Sequence, residues 1–301
     1  LTMLLSYVRS LLKPVRATSK HSESVSKGAA CAETLLHILD EPIEIASPAA
    51  SRLAPLRPSV LRFENVQFRY LDTVEALSGF SAELHQGEIV GLFGRSGSGK
   101  STVAALAVRL YDPEAGRITL DGIDLREYEL QSLRERFGLS MQQPVLFGDT
   151  IRENLLLGRP DATEADLWEA LRGAAADGFV GALAGGLDTE LGSSGVGLSG
   201  GERQRLCLAR TLLRHAPVLI VDEPFGGLDR IAVERVRETL AQRSRDSIVI
   251  VIAHDLGHLD AFDRIYFMSE GKVEDVGTHE ELLRRCALYR QSTRALAEVL
   301  S

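Results

Sequence analysis

The stretch GLFGRSGSGKST, residues 91 to 102, sets a lysine and several hydroxyls among closely spaced glycines. From Gly94 to Ser101 it matches the spacing G-x-x-x-x-G-K-[ST]. The chemistry on offer is phosphate binding. Gly94, Gly97 and Gly99 let the backbone curl so that its N–H groups converge on phosphate oxygens, and a helix starting there adds partial positive charge. Lys100 can neutralise the outer phosphates of a nucleotide, and Ser101 can ligate Mg²⁺. Arg95, Ser96, Ser98 and Thr102 complete the expected cradle.

A triphosphate site also needs carboxylates to hold the metal and activate water. VLIVDEP, residues 218 to 224, supplies them: four apolar residues run into Asp222 and Glu223. Read as a strand, it delivers both acids at its carboxyl end, where ligands sit in open α/β sheets. Asp222 is expected to hold the metal. Glu223 points elsewhere and can take a proton from the attacking water. Two adjacent acids after an apolar run are otherwise ordinary loop residues. Together with the phosphate loop they define a nucleoside triphosphatase without choosing its task.

These groups need buried strands that end side by side. PVLIVDEP and SIVIVIAH are β-branched runs with no polar alternation, as strands buried on both faces of a parallel sheet require. LRFENVQFRY alternates as a strand, SAELHQGEIVGLFG reads as a hairpin or strand pair, and STVAALAVRLY is helix-patterned. Between Thr150 and Ala184, TIRENLLLG and EADLWEALRGAAADGFVGAL are helical throughout, which points to a helical insertion into an α/β core.

At 301 residues the chain can bury a large core, and its 45% apolar content is that of a folded protein. The net charge of -8 gives no basic footprint, so no nucleic acid is expected. Cys31, Cys207 and Cys286 show neither metal spacing nor a paired framework and are expected as core filler in a reducing setting. The opening LTMLLSYVRSLLKPVRATSK runs apolar first and basic second, the order of a membrane helix emerging into the cytoplasm. Residues 1–45 are thus expected as the end of a membrane helix and its cytoplasmic extension, a short amphipathic helix on a soluble domain being the other reading. Residues 46–59, with three prolines, are expected as a linker.

Residues 198 to 224, LSGGERQRLCLARTLLRHAPVLIVDEP, supply the task. Here the chain resembles the ATP-binding-cassette (ABC) ATPases, whose signature reads L-S-G-G-Q. The resemblance covers residues 60 to about 290. It implies an α/β fold, a P-loop core with a parallel sheet, an antiparallel β subdomain and a helical signature subdomain at about 144–208, with a C-terminal helix over 291–301. By this resemblance Tyr70 stacks on adenine, and Gln142 joins metal and water to the helical subdomain. Ser199, Gly200 and Gly201 close on the γ-phosphate of a partner subunit, Asp229 faces that partner, and His254 contacts the γ-phosphate.

Stretches such as RLYDPEAGRITLDGIDLREYELQSLRERFGLSMQQPVLFGDTIREN look like the exporter branch, in which the ATPase follows six membrane helices. The resemblance therefore implies an ATP hydrolase at the cytoplasmic face of a membrane, with ATP and Mg²⁺ as cofactors. Its partners are a second ABC ATPase domain, in a homodimer or a related half-transporter, and membrane helices that would choose the cargo. Three residues depart from the pattern. Glu202 replaces the signature Gln, where altered strength is expected. Ser193 stands where exporters carry a Glu, and EPFGGLD is importer-like. A stand-alone importer ATPase and a soluble ABC ATPase are the alternative readings.

Overall fold

The computed structural model describes residues 3, 7, 25–37, 39–70, 74–192, 197–253 and 258–300. The chain divides into two compact units, Leu1–Ala46 and Ser47–Ser301. In the first, residues 25–37 are helical, and Val25, Leu35, Leu36 and Leu39 are exposed. Among the described residues no helix is long and apolar enough to cross a membrane.

The second unit is built on two sheets. One has four antiparallel strands in the order β2-β1-β4-β5: β1 is Val60–Tyr70, β2 Val74–His85, β4 Ala115–Leu120 and β5 Ile123–Asp124. The other has six in the order β10-β9-β3-β8-β7-β6. It comprises β3 (Ile89–Gly94), β6 (Phe137–Ser140), β7 (Val218–Asp222), β8 (Ile248–Ala253), β9 (Arg264–Ser269) and β10 (Lys272–Gly277). Only β10 pairs antiparallel. Every residue of β3, β7 and β8 is buried, as their unbroken apolar runs predict.

Alternate side chains of these strands serve two cores. Val90, Leu92, Ile220 and Ile250 pack with Leu61, Phe63, Phe80 and helix α1 (Lys100–Ala107) on one face. Phe93, Val221, Val249 and Val251 pack on the other with helices α6 (Gly200–Leu213) and α7 (Arg230–Ser244). Between β6 and β7 run three shorter helices, α3 (Ile151–Leu156), α4 (Glu164–Gly173) and α5 (Asp177–Ala182). Thr150, Thr163 and Ser199 open α3, α4 and α6 as N-caps, each in a capping box with the acid three residues on. The second of the two stretches expected to be helical throughout is broken at Ala175, whose φ is +52°.

Four expectations are revised. SAELHQGEIVGLFG is not a hairpin, because β2 and β3 belong to different sheets. The turn between them is bonded by distant chain: Gln86 donates to the Ser59 carbonyl and Gly87 to that of Ser244. Residues 47–59 are a strap within the second unit rather than a loose linker. Arg52 and Glu129 exchange backbone bonds with each other's neighbourhood, the N–H of Arg52 reaching Glu127 and that of Glu129 reaching Arg52. The Ala54 N–H donates to Ser132 Oγ at 3.0 Å on helix α2 (Leu130–Glu135). The C-terminal helix α9 starts at Ala287, after α8 (His279–Arg285), and its fully buried Tyr289 packs edge-on against Phe93 and Phe267. Cys31 is exposed rather than core filler, whereas Cys207 is buried.

The strap yields a stability prediction. Ser132→Ala removes a buried acceptor and should cost about 1–2 kcal/mol, lowering the melting midpoint by about 2–8 °C. Tryptic cleavage after Arg52 and Arg57 should quicken; unchanged cleavage and melting would mean that the strap is held elsewhere.

Candidate functional site

The phosphate loop joins the end of β3, at Gly94, to the start of α1, at Lys100. Two of its glycines are sterically required. A Cβ on Gly94 would collide with the Met268 carbonyl, and one on Gly99 would stand 2.5 Å from the Ala76 carbonyl oxygen. Gly99 also has φ +99°, where side-chain-bearing residues are strained. Lys100 is 3% exposed. Its Nζ donates to the carbonyls of Gly94 (2.7 Å) and Arg95 (2.9 Å) and to Ser98 Oγ (3.3 Å).

β7 lies one strand away from β3, across β8, and delivers Asp222 and Glu223. Asp222 is 7% exposed, and its Oδ1 is buried with no hydrogen-bond partner. Burial pushes its carboxyl up to about 6, the Glu223 charge adds to the push, and Lys100 opposes it. Burial likewise brings the Lys100 ammonium down to about 8, against the pull of Asp222 and Glu223. The buried charges thus depend on one another.

Glu223 has φ +51°, a left-handed conformation unusual for a non-glycine residue. Its N–H donates to the Ile252 carbonyl at 2.9 Å. Gln142, on the loop after β6, donates from Nε2 to Glu223 Oε1 at 3.0 Å. An open cleft of about 460 Å³ is lined by Tyr70, Gly97, Lys100, Ser101, Gln142 and Glu223, with Ser96, Gly99 and Thr102 also on its wall. Tyr70 stands at the rim, where Phe68 and Tyr111 pack edge-on against it at 4.9 and 5.4 Å between ring centroids. A second cleft of about 450 Å³, between α4 and α7, contains none of the motif residues.

The structure therefore gathers the loop, both acids, Gln142 and Tyr70. It does not bring Ser199, Gly200, Gly201 or Asp229 into the cleft. Ser199 is the exposed N-cap of α6, and Asp229 is the exposed N-cap of α7, accepting from the Ala232 N–H at 2.8 Å. The Ser199 hydroxyl donates to Glu202 Oε2 at 2.7 Å, and the Ser199 N–H does so at 2.8 Å. Those two bonds, the N–H first, hold the Glu202 carboxyl below the usual carboxylate range. His254 and Ser193 lie outside the described residues.

Sequence reasoning missed two supports. Tyr111 follows α1 in RLYDP, and Gln204, within SGGERQR, donates from Nε2 to the Glu223 carbonyl at 2.7 Å. An aromatic just beyond the loop's helix was the available signal for Tyr111; nothing local marks Gln204.

A parallel sheet that ends in a lysine-bearing loop on one strand and paired acids on another defines a P-loop nucleoside triphosphatase domain. The sequence model for the ABC transporter family matches residues 77–226. The chain is 41% identical over 288 residues to an ATP-dependent lipid A-core flippase of Chromobacterium violaceum, covering 95% of this chain and 49% of the relative. It is 39% identical over 281 residues to the same-named protein of Chromohalobacter salexigens, covering 93% and 48%. The solved structure of a bacterial Atm1-family ABC exporter with ATP bound superposes with a TM-score of 0.83 at 36% identity, over 89% of this chain and 47% of that one. The chain belongs to the ABC transporter family and carries its ATP-hydrolysing domain. It spans about half the length of the curated relatives it matches.

Proposed function

We propose that the chain is the motor part of an ABC exporter, working at the cytoplasmic face of a membrane and pairing head to tail with a second such domain. The observation that carries the reading is the cleft itself, where the phosphate loop, Gln142 and Glu223 meet on one wall. Signature residues that lie outside the lining of their own cleft support the pairing, since Ser199 to Gly201 can then meet the nucleotide held by a partner. The full-length relatives named as flippases and the exporter structure support the membrane role.

ATP would lie along Gly94 to Thr102, with its adenine against Tyr70. The orphaned Oδ1 of Asp222, the Ser101 hydroxyl and the Gln142 amide oxygen would supply oxygen donors of the kind that suits a hard divalent cation such as Mg²⁺. Bound there, the cation would neutralise phosphate charge. Lys100 would exchange its two carbonyl partners for phosphate oxygens. Glu223 Oε would accept the proton of an in-line water, and Gln142, now bonded to that carboxylate, would report its state to the helical segment. His254 and Asp229 would complete the contacts to the γ-phosphate and to the partner.

Complementation between variants tests the pairing. Ser199→Arg and Lys100→Met should each abolish turnover alone. Mixed, they should recover up to about a quarter of the parental rate: random pairing makes half of the dimers mixed, and each of these has one intact composite site. A mixture that stays inactive would mean that each chain supplies its whole site.

A further inference from the structure

Gln204 lies in the second turn of α6, and its side chain reaches across to the end of β7. Its Nε2 donates to the carbonyl oxygen of Glu223 at 2.7 Å and lies 3.4 Å from that of Asp222. The Glu223 peptide needs such support, because a left-handed non-glycine residue persists only where its surroundings hold it. On the N–H side Ile252 does so, and on the carbonyl side the Gly226 N–H approaches only to 3.3 Å. Among the described residues, Gln204 thus makes a shorter bond to this carbonyl than Gly226 does. The direction of the Glu223 carboxylate follows from the peptide that carries it, and at its other end that carboxylate is met by Gln142.

The helix that carries Gln204 also carries Ser199 at its N-cap, five residues earlier. One rigid element therefore holds the signature turn at its tip and the backbone of the base one turn further on. We propose that Gln204 is a positioning residue that fixes Glu223 and ties it to the signature turn of its own chain. This rests on the head-to-tail reading above. In that arrangement Ser199 and Glu223 of one chain serve two different nucleotides, so the Gln204 amide is a physical link between the two sites. When Ser199 docks on the partner's nucleotide, α6 settles, and Gln204 sets the base in the chain's own cleft.

The test uses the full chain with Gln204→Met, which removes the amide, and Gln204→Glu, which keeps the shape but presents oxygen to a carbonyl. Each should lower kcat at least about tenfold while KM for ATP and the melting midpoint stay near parental values, because the Gln204 amide bonds to the end of β7 and ATP is expected along the phosphate loop and Tyr70. An unchanged kcat, or a loss of kcat that only tracks a matching loss of ATP affinity or of stability, would overturn the positioning role. The link to the signature is read from a double-mutant cycle with Ser199→Ala. The kcat penalty of Ser199→Ala should shrink more than twofold in the Gln204→Met background; penalties that multiply to within twofold would overturn the link. The mixing experiment above separates the two ideas. If Ser199→Arg and Lys100→Met fail to complement while Gln204→Met still lowers kcat alone, the head-to-tail reading falls and the positioning of Glu223 stands.

Discussion

With Glu223→Gln the chain should keep binding ATP and lose hydrolysis by a factor of about 10²–10⁴, the range contributed by a positioned general base. The substitution preserves shape, and its amide oxygen can still accept from Gln142 Nε2. It also leaves the backbone bonds to Ile252 and Gln204 in place. What disappears is the group that takes the proton from water. Removing one negative charge beside Asp222 also relieves part of the push that raises that carboxyl, so ATP binding should hold or tighten. Binding of a fluorescent ATP analogue and release of phosphate are the two measurements. A rate within about tenfold of the parent would remove Glu223 from the role of base.

Lys100→Met should instead abolish binding. The lysine side chain is almost wholly buried, and two or more charge-assisted hydrogen bonds to phosphate at about 1.5–3 kcal/mol each amount to roughly 10²–10⁴ in affinity. Met fills the space but leaves the Gly94 and Arg95 carbonyls without their donor. The parent carries a pH signature of the same group. Without nucleotide the ammonium titrates near 8, below its ordinary 10.5, because it is buried. A triphosphate favours the charged form, so ATP affinity should fall as pH rises through 8, by up to about tenfold per unit, with proton uptake on binding. Dissociation constants at pH 7, 8 and 9 measure it; a flat profile would place the ammonium outside the phosphate contacts.

The centre of this fold was legible because buried parallel strands leave a simple trace. VLIVD and IVIVIA are apolar without alternation, and the residues where each run stops are where chemistry starts. The phosphate loop was legible because its geometry leaves room for nothing larger at Gly94 and Gly99. What escaped depends on distant chain. The change of sheet between β2 and β3 is fixed by Ser59 and Ser244, and the strap by Ser132, none of which is near in sequence. Gln204 looks like any polar residue of an amphipathic helix until β7 is placed beside it. The left-handed Glu223 likewise has no sequence signal of its own, since neither Glu nor the following Pro224 favours that conformation.

The strap also bears on how force enters this domain. Thirteen residues left as free coil could extend roughly 45 Å, enough slack to absorb any movement of the preceding polypeptide. Pinned at Ser47, Arg52 and Ala54 onto the segment around α2, the strap has no such slack to give. A pull on the polypeptide before Ser47 is therefore felt at α2, as tension on a short line.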